Sequence, residues 1–195
     1  MSAGASEEQE EQFVETLKKV AVQLKAAGIP FALAGGYALY AHGGPGSGHD
    51  VDFMVKRETV NSAKEALSSA GLKIVEPVED WLIKVYDEDR LVDLIFAVAG
   101  RPVDDEMLSH VTELELHSVQ MPVLDVTDVM SSKLRVMTPH YCDFAPLIAQ
   151  TRSVREQIDW PRLVSDTADS PFARAFIYLL QELDIAPKDL EVRAS

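Results

Sequence analysis

Apolar residues recur at helical spacing near the start of the chain. Phe13, Leu17, Val20 and Leu24 mark one stripe, and the acids from Glu7 to Glu15 read as a solvated face. Ser6 can cap this helix with Gln9 three residues on, and Gly28 and Pro30 end it. The period then shortens. Phe31-Ala32-Leu33-Ala34 is a short apolar run of the kind a buried strand shows, and Gly35-Gly36 leads from it into a helix over Tyr37 to Ala41, with Tyr37 and Tyr40 as packing residues. From His42 to His49, four glycines and a proline forbid regular structure, so this stretch reads as a loop.

Strict alternation begins at Asp50-Val51-Asp52-Phe53-Met54-Val55, which places Asp50 and Asp52 on one face of a strand and Val51 and Phe53 on the other. A helix over Glu58 to Ala70 stops at Gly71, and a strand follows near Leu72 to Val75. A hairpin comes next: Trp81 to Tyr86, a polar turn Asp87-Glu88-Asp89-Arg90, then Leu91 to Val98, in which Asp93 is the only charge. Between Arg101 and Val123 the pattern weakens to a short helix at Asp104 to His110 and strands through Glu113 to Leu124. Beyond Asp125 it becomes helical, over Thr127 to Met137, Tyr141 to Arg152 and Pro171 to Leu183, the last capped by Ser170 with proline at its first position. The expected architecture is α+β (α/β), a mixed sheet flanked by helices over residues 1–125, with a helical region over 126–195 that completes the site.

Composition narrows the class. The 195 residues are 47% hydrophobic and 26% charged, as in folded globular chains, and no run approaches the roughly 20 apolar residues that span a bilayer. A single cysteine, Cys142, forbids an internal disulfide and reads as a small packed residue, while an acidic N-terminus is not a secretory signal. A cytoplasmic protein with no membrane partner is expected. The 18 basic residues against 32 acidic give a net charge of −14, which repels nucleic acid overall. Between Ser131 and Arg155, however, Lys133, Arg135, Arg152 and Arg155 face only Asp143, and a polyanion would have to dock there.

Three features share one chemistry. A glycine turn at a helix N-terminus lets backbone N–H groups approach phosphate oxygens. Carboxylates gathered on one face bind Mg²⁺, and two such ions stabilise the attacking and leaving oxygens of a displacement at phosphorus. Gly35-Gly36 supplies the first; Asp50, Asp52 and Asp93 supply the second. A charge inside an apolar strand is costly unless paired or metal-bound, which adds Asp93 to the pair. Together they describe transfer of an NMP from an NTP to a hydroxyl, with Asp93 able to take the hydroxyl proton.

Gly35-Gly36, thirteen intervening residues, Asp50-Val51-Asp52-Phe53 and a later Asp93 resemble the signature of the DNA polymerase β-like nucleotidyltransferases. Asp128 to Leu134, with Lys133, and then Tyr141-Cys142-Asp143-Phe144 resemble the lysine helix and later aspartate of the AbiEii/MenT-type toxins of bacterial toxin–antitoxin systems. The resemblance, over roughly residues 30 to 160, implies the nucleotidyltransferase fold and an NTP substrate. It makes Asp50, Asp52 and Asp93 ligands of two Mg²⁺ ions and sets Gly35 and Gly36 against the triphosphate. Lys133 would neutralise the triphosphate, and Asp143 would position Lys133 or the base. Relatives carry Ser or Thr two residues before the first acid; here Gly48 stands there, with Ser47 one place off as the candidate phosphate contact. The toxin group further implies a tRNA 3′ end as acceptor, gripped by the basic segment, and a cognate antitoxin as partner. The alternatives are nucleotidylation of a protein or of an aminoglycoside-like small molecule, or a non-catalytic nucleotide-binding module.

Overall fold

The computed structural model describes residues 3–45 and 50–191, with side chains from residue 11 onward. Helix α1 (Ala3–Ala26) opens the chain, so Ser6 falls inside it and not at its cap. Its apolar stripe is buried as the spacing requires: Leu17, Val20 and Leu24 are wholly inaccessible. Strand β1 (Phe31–Ala34) runs directly into α2 (Gly35–Ala41). After the loop come β2 (Val51–Val55), a 3₁₀ turn over Arg57–Thr59 and α3 (Val60–Ser69), which divide the helix expected over Glu58 to Ala70.

Strand β3 (Lys73–Val75) precedes the hairpin of β4 (Leu82–Asp87) and β5 (Arg90–Ile95), whose turn is tighter than the four polar residues suggest. The run from Leu91 to Val98 is not one strand. It breaks at Phe96, and β6 (Ala97–Val98) turns away to pair with β7 (Arg101–Pro102) through Ala99 and Gly100, both at positive φ. Helix α4 (Asp105–Ser109) is capped by Asp104, whose carboxylate accepts the Met107 N–H, and β8 (Val111–Leu116) and β9 (Val119–Leu124) complete the strands.

In the described residues seven strands make one sheet in the order β3-β4-β5-β2-β1-β9-β8, with β2 parallel to β5, β1 parallel to β9 and the remaining neighbours antiparallel. Alternation sorts its faces. Val51, Phe53, Val92 and Leu94 are wholly buried in the core that also holds Leu17, Leu24 and Leu67. Asp52, Met54, Asp93 and Ile95 point the other way and line a cleft. Burying one apolar side chain of this size contributes roughly 1.5–3 kcal/mol, so register at these strands is strongly specified.

Helix α5 (Val126–Arg135) packs on α2 and is capped by Asp125, which accepts the Thr127 N–H at 2.9 Å. The helix expected from Tyr141 starts later, as α6 (Ala145–Val154). Thr138 and Tyr141 exchange backbone hydrogen bonds in a tight turn, and Asp143 accepts the Ala145 N–H at 3.0 Å. A helix not anticipated, α7 (Trp160–Asp166), follows Asp159 as its cap, and α8 (Pro171–Glu182) follows Ser170. Cys142 is exposed, against the expectation of packing. No helix of the described residues is long and apolar enough to cross a membrane.

Candidate active site

One register row crosses the middle of the sheet. Lys84 on β4 pairs with Asp93 on β5, Asp93 with Asp52 on β2, and Asp52 with Ala34 at the end of β1. Residues in one row share a face, so the row brings an ammonium group to the face whose two carboxylates line the cleft. Asp50, two residues before Asp52, joins them. The three aspartates offer oxygens that all lie within 4.8 Å of one another. Hard oxygen donors at this spacing suit a divalent cation such as Mg²⁺.

Gly35 explains how the turn meets the acids. It sits at φ +61°, and a Cβ built there would overlap Asp52 Oδ2 and lie 2.7 Å from its Cγ. Only glycine leaves that space to the carboxylate. Gly36 is buried in the first turn of α2 beside it.

Crowding shows in the electrostatics. Burial, then the charges of Asp50 and Asp93, push the Asp52 carboxyl from 3.8 up to about 7, against the pull of Lys133 and Lys84. Burial raises Asp93 as well, opposed by the charge and hydrogen bond of Lys84, whose Nζ lies 3.4 Å from Asp93 Oδ1. Lys133, in the lining of the cleft, is lowered by burial and pulled back up by Asp52 and Asp50. A carboxylate trio with two lysines near it is the arrangement expected where a cation or a phosphate is to be held.

Of the residues singled out by sequence, Gly35, Asp50, Asp52, Asp93 and Lys133 line one cleft of about 740 Å³. Asp143 is exposed, occupied with the Ala145 N–H, and is not part of that lining. Ser47, like Gly48 and His49, lies outside the described residues. Sequence reading missed Lys84, although counting outward from the hairpin turn pairs it with Asp93. It missed three wall residues too. Trp81 and Tyr141 are 42% and 71% exposed in the same cleft. Arg57 also lines it, stacked 4.3 Å from the Phe96 ring centroid and donating to the Asp80 carbonyl.

The basic segment does not form a patch. Lys133 is drawn to Asp52 and Asp50, Arg135 donates to the Asp166 carbonyl at 2.8 Å, and Arg155 pairs with Glu156 at 3.0 Å. Of the four, Lys133 and Arg152 have no hydrogen bond or ion pair among the described residues.

No protein-family model matches the chain, and neither does any curated protein sequence. Its structure is similar to the solution structure of the antibiotic-resistance factor ANT(2'')-Ia, with a TM-score of 0.65 and 14% identity over 91% of this chain and 100% of that one. The crystal structure of ANT(2'')-Ia with adenylyl-2''-tobramycin matches at 0.53 and 15% identity, over 88% of this chain and 91% of that one. A Thermotoga maritima protein assigned as a nucleotidyltransferase matches at 0.53 and 17% identity, over 65% of this chain and 85% of that one. The likeness is one of fold: the chain has the mixed α/β architecture of these nucleotidyltransferases.

Proposed function

We propose that this chain is a Mg²⁺-dependent nucleotidyltransferase that moves an NMP from an NTP to a hydroxyl of a small, amine-bearing molecule. The observation that carries the chemistry is the trio Asp50, Asp52 and Asp93, with oxygens within 4.8 Å, set against the Gly35 turn.

Bound Mg²⁺ supplies charge stabilisation to the oxygens at the reacting phosphorus. The chain's own residues do the rest. Asp50, Asp52 and Asp93 would hold the ion, and the first turn of α2 would present its backbone N–H groups to the triphosphate. Lys133 neutralises that triphosphate and the pyrophosphate that leaves. Asp93 takes the proton as the acceptor oxygen bonds to the α-phosphorus and the bond to pyrophosphate breaks. Tyr141 and Val136, beyond Lys133, offer the nucleobase a flat apolar wall. Trp81 and Arg57, beyond Asp93 along β4 and β5, offer the acceptor ring another.

Three points favour a small cationic acceptor over a tRNA end. The chain carries −14 and covers 91% of a fold neighbour that was captured with adenylyl-2''-tobramycin. The acids Glu79 and Asp80 are exposed beside Trp81, where an amine would be welcome. In the segment that could grip RNA, Arg135 is tied to the Asp166 carbonyl, Arg155 pairs with Glu156 and Lys133 feels the charges of Asp52 and Asp50.

The test is incubation with each α-labelled NTP and Mg²⁺, alone, with total tRNA and with an aminoglycoside mixture, beside Asp52→Asn. Label on an aminoglycoside, absent from the variant, is the expected result. Label on tRNA replaces the acceptor and revives the toxin reading with its antitoxin partner. Label on protein makes the acceptor a polypeptide. NTP binding without pyrophosphate release leaves a non-catalytic module.

A further inference from the structure

Lys84 has no part in the steps above, yet it is the ammonium group nearest the aspartates in the sheet itself. It occupies the register row of Asp93 and Asp52, one strand out, and its Nζ lies 3.4 Å from Asp93 Oδ1. Asp93 has a side chain only 11% exposed, against 29% for Lys84. A carboxylate so buried, with two more close by, needs a compensating positive charge even when no metal is bound. Lys84 provides it at Asp93, while Lys133 acts on Asp52 and Asp50.

The two lysines are not equivalent. Lys133 stands on a helix, on the side given above to the triphosphate. Lys84 stands on the strand next to Asp93, and its contact is longer than the roughly 2.7–2.9 Å of a tight charge-assisted hydrogen bond. That separation attracts without tying up the oxygen. Its side chain is 29% exposed, so the ammonium group can swing out while β4 stays in place.

We propose that Lys84 is a built-in counter-cation, a positioning residue that holds Asp93 ready for a divalent ion and competes with that ion for the carboxylate. This rests on reading the three aspartates as the metal-holding group. A divalent ion on Asp93 would be repelled by an ammonium that contacts the same oxygen, so Lys84 weakens metal binding while it stabilises the metal-free protein. Such a device lets the site stay folded when metal is absent, and favours loading when the metal arrives with the nucleotide's own negative charge.

The full chain is titrated with Mn²⁺ alone, free ion being followed by electron paramagnetic resonance, and is melted in EDTA. Lys84→Met, Lys84→Gln and Lys84→Arg are compared with the parent and with Asp52→Asn. Removing the charge should tighten Mn²⁺ binding by about three- to tenfold and lower the melting temperature in EDTA. Lys84→Arg should restore both to near parental values, which a merely packing role for the stem would not predict. Equal or weaker Mn²⁺ binding in both neutral variants overturns the role of Lys84 while leaving the metal site standing. No Mn²⁺ binding by the parent overturns the role and the metal-site reading together.

Discussion

At the scale of single residues, Gly35 and Asp52 fix each other. Gly28 offers an internal control, because it too lies at positive φ, +66° against +61°, but a Cβ placed on it would meet nothing within 4 Å. Alanine at either position costs about 1–2 kcal/mol of backbone strain. Both variants should therefore melt earlier, Gly35→Ala by more because its Cβ must also push Asp52 aside, and only Gly35→Ala, which displaces that carboxylate, should lose transferase activity by at least about a hundredfold. Melting curves beside a turnover assay separate the two; full activity in Gly35→Ala would reduce that glycine to a turn. Asp52 itself makes a pH prediction. Its carboxyl is raised from 3.8 to about 7 by burial and by its acidic neighbours, so the folded, metal-free protein holds that proton more tightly than the unfolded chain does. The associated stability is fully present below pH 3.8 and is lost as pH rises through about 7. In EDTA, Asp52→Asn should flatten this decline and melt above the parent at pH 8, although it cannot turn over. The sequence made the three acids and the glycine turn legible, because each is local. It hid the Gly35–Asp52 overlap, which exists only through the Ala34–Asp52 register across a long loop.

Among elements, the β4–β5 hairpin carries both chemistry and a lock. Its turn end is tied to α1: Asp87 accepts from Thr16 Oγ1 at 2.9 Å, Lys19 Nζ at 2.7 Å and Arg90 Nη2 at 3.1 Å, and Arg90 Nε donates to Thr16 at 2.7 Å. Burial pushes the Asp87 carboxyl up, but these three hydrogen bonds outweigh it and hold it below its ordinary value. Its contribution to stability is thus present above the ordinary carboxylate pKa and is lost as pH falls through the lowered one. Asp87→Ala should cost about 1–3 kcal/mol at neutral pH, since it strands buried donors. It should also blunt the acid-induced loss of stability, measured by urea melts from pH 7 downward. Turnover should not change, because Asp93 lies three residues beyond Arg90, about 10 Å along the strand. An activity loss that parallels the stability loss would mean the hairpin end is coupled to the site. This hairpin, β1, α2 and α8 were legible because each has a strong period and clear punctuation. Helix α7 was not: seven residues with two buried apolar side chains, Trp160 and Leu163, are too few to show a period, despite Asp159 and Pro161 at its start. The start of α6 was misplaced because Tyr141 continues an apolar pattern that the Thr138–Tyr141 turn interrupts.

For the molecule as a whole, the acceptor question becomes one of charge in space. Along the chain, Lys133, Arg135, Arg152 and Arg155 form a basic strip; in the fold Arg135 and Arg155 are bonded to protein oxygens and Lys133 feels the charges of Asp52 and Asp50, while the net charge stays at −14. The −14 was legible in the composition; the loss of the strip was not, because it depends on where helices α5 and α6 point those side chains. An RNA acceptor needs several phosphate contacts, and each one released by salt steepens the dependence, so six or more would cut kcat/KM by about a thousandfold between roughly 50 and 200 mM salt. With the strip broken up in this way, the expectation is different. A small amine-bearing acceptor meets the cleft through Trp81, Arg57 and the exposed acids Glu79 and Asp80, at short range and partly screened from ions. Its kcat/KM should weaken by less than about tenfold over the same range, and Trp81→Ala should raise the acceptor KM severalfold while leaving the NTP KM unchanged. The salt series run at fixed Mg²⁺-NTP, with parent and Trp81→Ala side by side, reads both. A steep salt slope that Arg152→Ala shallows would return the acceptor to nucleic acid; a shallow slope with a selective acceptor effect at Trp81 keeps it a small molecule.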